Sequence, residues 1–404
     1  MAVGLNTDPR MLPVAGVRLG SAAAGIRYQN RDDLALMAFD EGSTGAAVFT
    51  RNAFRAAPVT LARRHLRTTN PRFALINAGN ANAGTGAGGM EDAWETCVLV
   101  SGQAQAPLES VLPFSTGVIG QRLNLSAFRA GIPKALKDLR ETGWSRAARA
   151  IMTTDTRPKG ASRQVAVDGK TVTFTGMAKG SGMIHPDMAT MLAFVATDAA
   201  VAADDLQAAL ERAARVSFNA VSVDGDTSTN DACLLVATGA GGVRLAPGSD
   251  AWIRWEAALT DLCIELAQAI VRDGEGATKF VTLDVRGGRD ESECRQVGFT
   301  IAHSPLVKTA LFSSDANWGR ILACVGRAGL RDLDLSGVHL YLDDVCVIRA
   351  GEPDPEYREA LGAAVMKQPE ITVRIDLGRG EASATVWTCD LSHDYVSINA
   401  EYRS

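Results

Sequence analysis

Gly176–Asp198 reads GMAKGSGMIHPDMATMLAFVATD, and its two halves follow different rules. Gly176, Gly180, Gly182 and Pro186 crowd the first half. Glycine opens backbone conformations closed to other residues, while proline fixes its own φ and biases His185 toward extended geometry. The second half, Met191–Thr197, is an apolar run expected to form a strand. A constrained turn running into a strand can hold the Ala189–Thr190 peptide with the Thr190 hydroxyl beside the preceding carbonyl. Attack by that hydroxyl converts the peptide to an ester, and water then releases an N-terminal threonine. Its α-amine, with an ordinary pKa of about 7.7–8.0, is a far better base at neutral pH than a lysine at about 10.4. A threonine activated by its own amine is an established nucleophile. By spacing alone, MATML reads as the entry to a buried strand.

Outward from this segment, short apolar runs alternate with helical patterns, which predicts a mixed α/β protein. Strands are expected at Arg72–Asn77, Thr171–Thr175, Met191–Thr197, Ala232–Thr238, Phe280–Val285, Gln296–Ala302, Val338–Ile348, Ile371–Leu377 and Ala384–Thr388. In Ala251–Arg272, Trp252, Trp255, Leu259, Leu262, Leu266 and Ile270 recur at helical spacing, and Gly274 stops the helix. Asp204–Val216 and Asn317–Gly326 read the same way. Thr153–Lys170 is the loosest stretch, and no repeat or long linker divides the chain.

Composition narrows the function. The chain has 404 residues, 46% of them hydrophobic, enough for a large core or two smaller ones. No run approaches the roughly 18 apolar residues of a membrane span, and the N-terminus lacks a secretion pattern, so a cytoplasmic protein without a membrane partner is expected. The seven cysteines are scattered and expected to be reduced. A net charge of -5 offers no basic surface for nucleic acid. Lys and Arg outnumber Asp and Glu by 22 to 14 through residue 189; subtraction from the totals of 41 and 46 leaves 19 against 32 for the rest. Opposite charge of this kind favours two fragments staying together after a cut.

Three tempting motifs fail on inspection. The glycine-rich run Asn77–Gly89 is followed by Glu91 and Asp92 rather than Gly-Lys-Ser/Thr, so it reads as a loop feeding a helix whose first turn favours acids. DGDTSTND, Asp224–Asp231, has Thr229 where a calcium loop needs glycine and Leu235 where it needs glutamate, and reads as a polar loop near the site. His65, His185, His303, His339 and His393 have no metal-ligand spacing, so no metal is expected, and His185 reads as structural.

Taken together, the blocks of this sequence resemble the bifunctional ornithine acetyltransferase, or glutamate N-acetyltransferase (ArgJ), family. Gly180–Ala199 with its MATML core is similar to that family's self-cleavage site. DLAL at Asp33–Leu36, VFTRN at Val48–Asn52, AAPV at Ala56–Val59, NAGNANA at Asn77–Ala83, STGVIG at Ser115–Gly120 and MTTDT at Met152–Thr156 follow in order. So do DGDTSTND, RDGEGATK at Arg272–Lys279, SDANWGR at Ser314–Arg320 and the terminal NAEYRS. The resemblance spans nearly the whole chain.

It implies an α/β (α+β) fold, a layered αββα-type sandwich like that of ArgJ and the autoprocessed aminopeptidases. Residues 1–189 would become an α fragment and 190–404 a β fragment, intertwined and paired as an α2β2 heterotetramer. Thr190 would be the nucleophile, taking acetyl from N-acetylornithine and passing it to glutamate, with acetyl-CoA as a further donor substrate and no cofactor. Thr116 and Gly117 match the oxyanion pair, a hydroxyl and a backbone N–H. Thr153, with Thr154 second, Lys179, Glu275, Asn399 and Ser404 match substrate-binding positions. Two departures stand out: Asp187 where the family usually has Asn, and Ser404 in place of a terminal Thr. The closest alternative keeps Thr190 and the cut but uses water as acceptor, giving an amidase or aminopeptidase.

Overall fold

The computed structural model describes residues 2–167, 169–185 and 191–400. Strands Val17–Ala22, Leu34–Phe39, Phe73–Asn80 and Val111–Val118 form one sheet in that order, antiparallel except for the parallel last pair. A five-stranded sheet runs Thr44–Phe49, Ala232–Ala237, Leu192–Thr197, Lys170–Lys179, Lys159–Val167. Its second and third strands are parallel and the other neighbours antiparallel.

The two sheets stack face to face. Leu192, Phe194 and Ala196 point into a shared core with Ala74, Ile76, Leu112 and Phe114, and the rings of Phe114 and Phe194 meet edge to face at 5.0 Å. Ala193 and Val195 point the other way, onto helices Ala203–Arg215 and Asp250–Arg272. Burial on both faces is why this strand reads as continuously apolar rather than alternating. Helices Ala57–Thr68, Gly86–Ala104 and Leu125–Lys137 cover the outer face of the first sheet. Helix, sheet, sheet, helix is the αββα sandwich.

The Asp250–Arg272 helix follows its sequence pattern. Ser249 caps it by accepting from the Trp252 N–H at 3.1 Å, and the six apolar positions read from the sequence are all buried. Residues 280–389 build a second core, where strands Phe280–Gly288, Glu370–Asp376 and Ala382–Cys389 pack under helices Glu291–Ala302, Pro305–Phe312 and Trp318–Gly326.

Four expectations are corrected. Gln296–Ala302 is not a strand but the end of the Glu291–Ala302 helix, whose N-cap Asp290 accepts from the Glu293 N–H and whose buried residues Cys294, Val297, Gly298 and Ile301 have helical spacing. Val338–Ile348 is two strands, His339–Leu342 and Val345–Arg349, reversed at Asp343, which has φ +48°. Half of Thr153–Lys170 is ordered as the strand Lys159–Val167, with a loop before it. The Gly86–Ala104 helix has no acid in its first turn; Asp92 lies further in and accepts from the Arg122 guanidinium.

All seven cysteines are free, and all but Cys346 are buried. No described helix is long and apolar enough to cross a membrane.

Candidate active site

The chain leaves the five-stranded sheet at Lys179 and re-enters it at Leu192, which lies directly across the ladder. Both flanks of that excursion, Gly180, Gly182, Met183 and Ile184 on one side and Met191 on the other, line a cavity of about 270 Å³. Thr116, Gly117, Thr153, Thr154, Lys179, Glu275 and Asn399 line the same cavity. Seven residues scattered from 116 to 399 are thus brought together. Ala189, Thr190 and Ser404 lie outside the described residues, but Thr190 is bonded to the cavity-lining Met191.

Thr116 and Gly117 sit near the end of Val111–Val118, where the ladder to Phe73–Asn80 slips around Asn80. Gly117 has φ +133°, and a Cβ there would fall 2.2 Å from the Gly79 carbonyl carbon. Only glycine fits this close approach of two strands. Lys179 Nζ donates to Thr116 Oγ1 at 3.2 Å. With its oxygen engaged as an acceptor, the Thr116 hydroxyl has its own proton to donate elsewhere, the role an oxyanion requires. Burial pushes the Lys179 ammonium below its ordinary pKa; Lys159 adds to this, while Asp155, Asp231 and Glu275 oppose it.

A buried ion triad holds the neighbouring wall. Lys159 Nζ donates to Asp155 and to Asp273, each at 2.6 Å, with all three side chains almost wholly enclosed. Asp155 also accepts from the N–H groups of Thr153 and Gly180 at 3.0 and 2.7 Å, and Asp273 from that of Thr156 at 2.9 Å. Burial opposes ionisation of Asp155, but Lys159, Lys179 and these hydrogen bonds outweigh it and hold the carboxyl below its usual range. The triad therefore ties the Thr153–Thr154 loop to the turn leaving Lys179.

Asp224 fixes the next part of that turn. Its two oxygens accept from the N–H groups of Met183, at 2.6 Å, and Ile184, at 2.8 Å; Met183 has φ +56°. Tyr395 of the C-terminal helix His393–Ala400 donates to Asp224 at 3.4 Å, and Asn399 of that helix donates to Glu275 Oε2 at 2.7 Å. The polar loop Asp224–Asp231 is thus part of the site. His185 packs edge-on against Phe299 and His303. Among the described residues no cluster of His, Cys, Asp and Glu could hold a metal ion.

Lys159, Asp155, Asp273 and Asp224 were not singled out from sequence. Each lies in or beside a block quoted above, and the signal was the density of Asp flanked by Thr and Gly, a composition that builds side-chain-bonded turns. Gly182 adds a tight constraint: a Cβ there would lie 2.4 Å from Glu275 Cδ. Gly182→Ala is expected to displace Glu275 from Asn399 and to raise KM for a cationic substrate by about 10-fold or more with a smaller change in kcat. Steady-state kinetics checks the split.

Fold and cavity define an α/β sandwich in which charged, amide and hydroxyl side chains from both sheets and the C-terminal helix converge on one cavity. The ArgJ family model matches residues 18–404. The "Arginine biosynthesis bifunctional protein ArgJ" of Methylococcus capsulatus is 58% identical over 98% of either chain, and that of Pseudomonas fluorescens is 53% identical over the full length of both. The crystal structure of the protein of that name from Bacillus halodurans matches with a TM-score of 0.50 and 37% identity, covering 52% of this chain and 99% of its own. The chain belongs to the ArgJ family, and it is an acyltransferase.

Proposed function

We propose that this enzyme of arginine biosynthesis cuts itself between Ala189 and Thr190 and then uses Thr190 to carry an acetyl group from N2-acetyl-L-ornithine to L-glutamate. Acetyl-CoA is a further donor. What carries the reading is the convergence of Thr116, Gly117, Lys179, Glu275 and Asn399 on one cavity flanked by the residue next to Thr190.

In the first half-reaction the Thr190 hydroxyl attacks the acetyl carbonyl and gives its proton to its own α-amine. The Thr116 hydroxyl and Gly117 N–H receive the oxyanion, and the amine passes the proton to the departing ornithine nitrogen. Glutamate then attacks the acetyl-threonine by the reverse path. Glu275 faces a substrate ammonium, and Lys179 a substrate carboxylate, with Thr153, Thr154 and Ser404 completing the pocket.

Residues 1–189 and 190–404 remain together after the cut, because the five-stranded sheet takes Thr44–Phe49, Lys159–Val167 and Lys170–Lys179 from one fragment and Leu192–Thr197 and Ala232–Ala237 from the other. Separating them would expose the face that packs on the other sheet. The working unit is an α2β2 assembly in the cytoplasm. Intact mass of the purified protein with and without N-acetylornithine tests the proposal. Two fragments meeting at 189/190 and an acetyl adduct on the 190–404 fragment are expected; a single uncut active chain would overturn it.

A further inference from the structure

Asp231 is the buried carboxyl at this site whose bonding is unfinished. It is only 2% exposed and lines the cavity. Burial raises this carboxyl's pKa well above the ordinary value against the pull of Ser228 and Lys179, and Oδ2 finds no hydrogen-bond partner among the described residues. The neighbouring acids differ: both oxygens of Asp155, Asp224 and Asp273 are taken by the hydrogen bonds that fasten loops. A buried polar atom without a partner is costly and rare, and at a cavity wall it points to a ligand group that completes it.

Its surroundings say which group. Asp231 follows Asn230, whose side chain donates to the carbonyls of Ala81, at 2.6 Å, and Ser115, at 2.9 Å, and so is fastened to the strand end that carries Thr116. Its own carbonyl accepts from the Thr50 N–H and the following N–H, of Ala232, bonds to the Met191 carbonyl. Asp231 is therefore fixed on the wall of Thr116 and Met191, whereas Glu275 belongs to the wall made by Gly182 and Asn399. Lys179 lies in the field of both acids. Two carboxyls on different walls and a lysine that feels the charge of both, all lining one cavity, match a molecule with two amino groups and one carboxylate.

We propose that Asp231 is a substrate-binding residue whose Oδ2 accepts a hydrogen bond from the α-nitrogen of the amino acid in the cavity, the nitrogen that carries or receives the acyl group. Both forms of that nitrogen suit it, since an amide N–H and a free amino group each donate. Glu275 then takes the distal ammonium of the diamino acid. The choice of ligand rests on the acyl-transfer reading above, but the contact itself does not require the reaction.

Calorimetric titration of the processed enzyme with ornithine, 5-aminovalerate, which lacks the α-amine, and norvaline, which lacks the distal amine, tests the assignment. The native enzyme is expected to bind ornithine at least about 10-fold more tightly than 5-aminovalerate, and Asp231→Ala to abolish that preference while keeping the preference over norvaline. Asp231→Asn, closer in shape, replaces it if the alanine variant is uncut or unfolded, with the same ratio expected to fall. A native enzyme with no preference for ornithine over 5-aminovalerate, or variants that weaken all three ligands equally, would overturn the proposal. Acetylation of the native 190–404 fragment by p-nitrophenyl acetate, read by mass, tests the acyl-transfer reading separately. An Asp231-dependent preference without that adduct leaves the contact standing and removes the reaction.

Discussion

Replacing Thr190 with alanine is expected to leave one uncut chain and to lower acetyl transfer by at least about 10³-fold, because in the proposed mechanism one hydroxyl serves both the cut and the transfer. Thr190→Ser keeps a hydroxyl and is expected to cut and to transfer, more slowly at each step. The native enzyme's acid limb gives a second signature. In that mechanism the amine freed by the cut must be unprotonated to accept the threonine proton, so kcat/KM should rise with pH through the range of an α-amine, about 7.7–8.0 before neighbours act on it. Denaturing electrophoresis reads the cut and an acetyl-transfer assay the rate. An alanine variant that still transfers acetyl at the native rate would remove Thr190 from the mechanism.

The fold class was legible in the sequence, and so was the set of residues that line the cavity; the bounds of individual elements were less so. Thr116, Gly117, Thr153, Thr154, Lys179, Glu275 and Asn399 were picked out through matching blocks, and the chain brings all seven to the lining of one cavity. Secondary structure was read well where one period dominates, as in Asp250–Arg272. It failed at Gln296–Ala302, where Val297, Phe299 and Ile301 alternate like a strand; the deciding signal was Asp290 and two acids in the first turn, outside the run considered. Lys159–Val167 reads as loop because Gly160, Ser162 and Gln164 weaken its pattern, and it becomes a strand by pairing with Lys170–Lys179. No local pattern could reveal Lys159 as the hub of a triad, since Asp155 is four residues away and Asp273 is distant in the chain.

That hub is where a single change should cost most in stability. Lys159→Met fills a similar volume but leaves Asp155 and Asp273 buried without their shared cation, an arrangement that costs about 3–5 kcal/mol. The pH dependence separates charge from packing. In the native protein the Asp155 pKa is depressed, so its contribution is present above the unfolded carboxylate value of about 3.9 and fades as pH falls. Burial works against the Lys159 charge, but Asp155 and Asp273 raise its pKa overall, so its contribution holds below about 10.4 and fades as pH rises through the folded value. Between those limits Asp155 and Lys159 are both ionised. In Lys159→Met, burial of Asp155 is no longer opposed by that cation, so the folded state takes up a proton more readily than the native protein does and the variant loses less, or gains, as pH falls. Urea midpoints should therefore show a gap between native and variant that narrows from about pH 8 to about pH 5. Adding Asp273→Asn to the variant should recover part of the loss, because it removes one stranded charge. A gap independent of pH would mean that Lys159 stabilises by filling space, and the Thr153–Thr154 wall would then owe its position to packing rather than to charge.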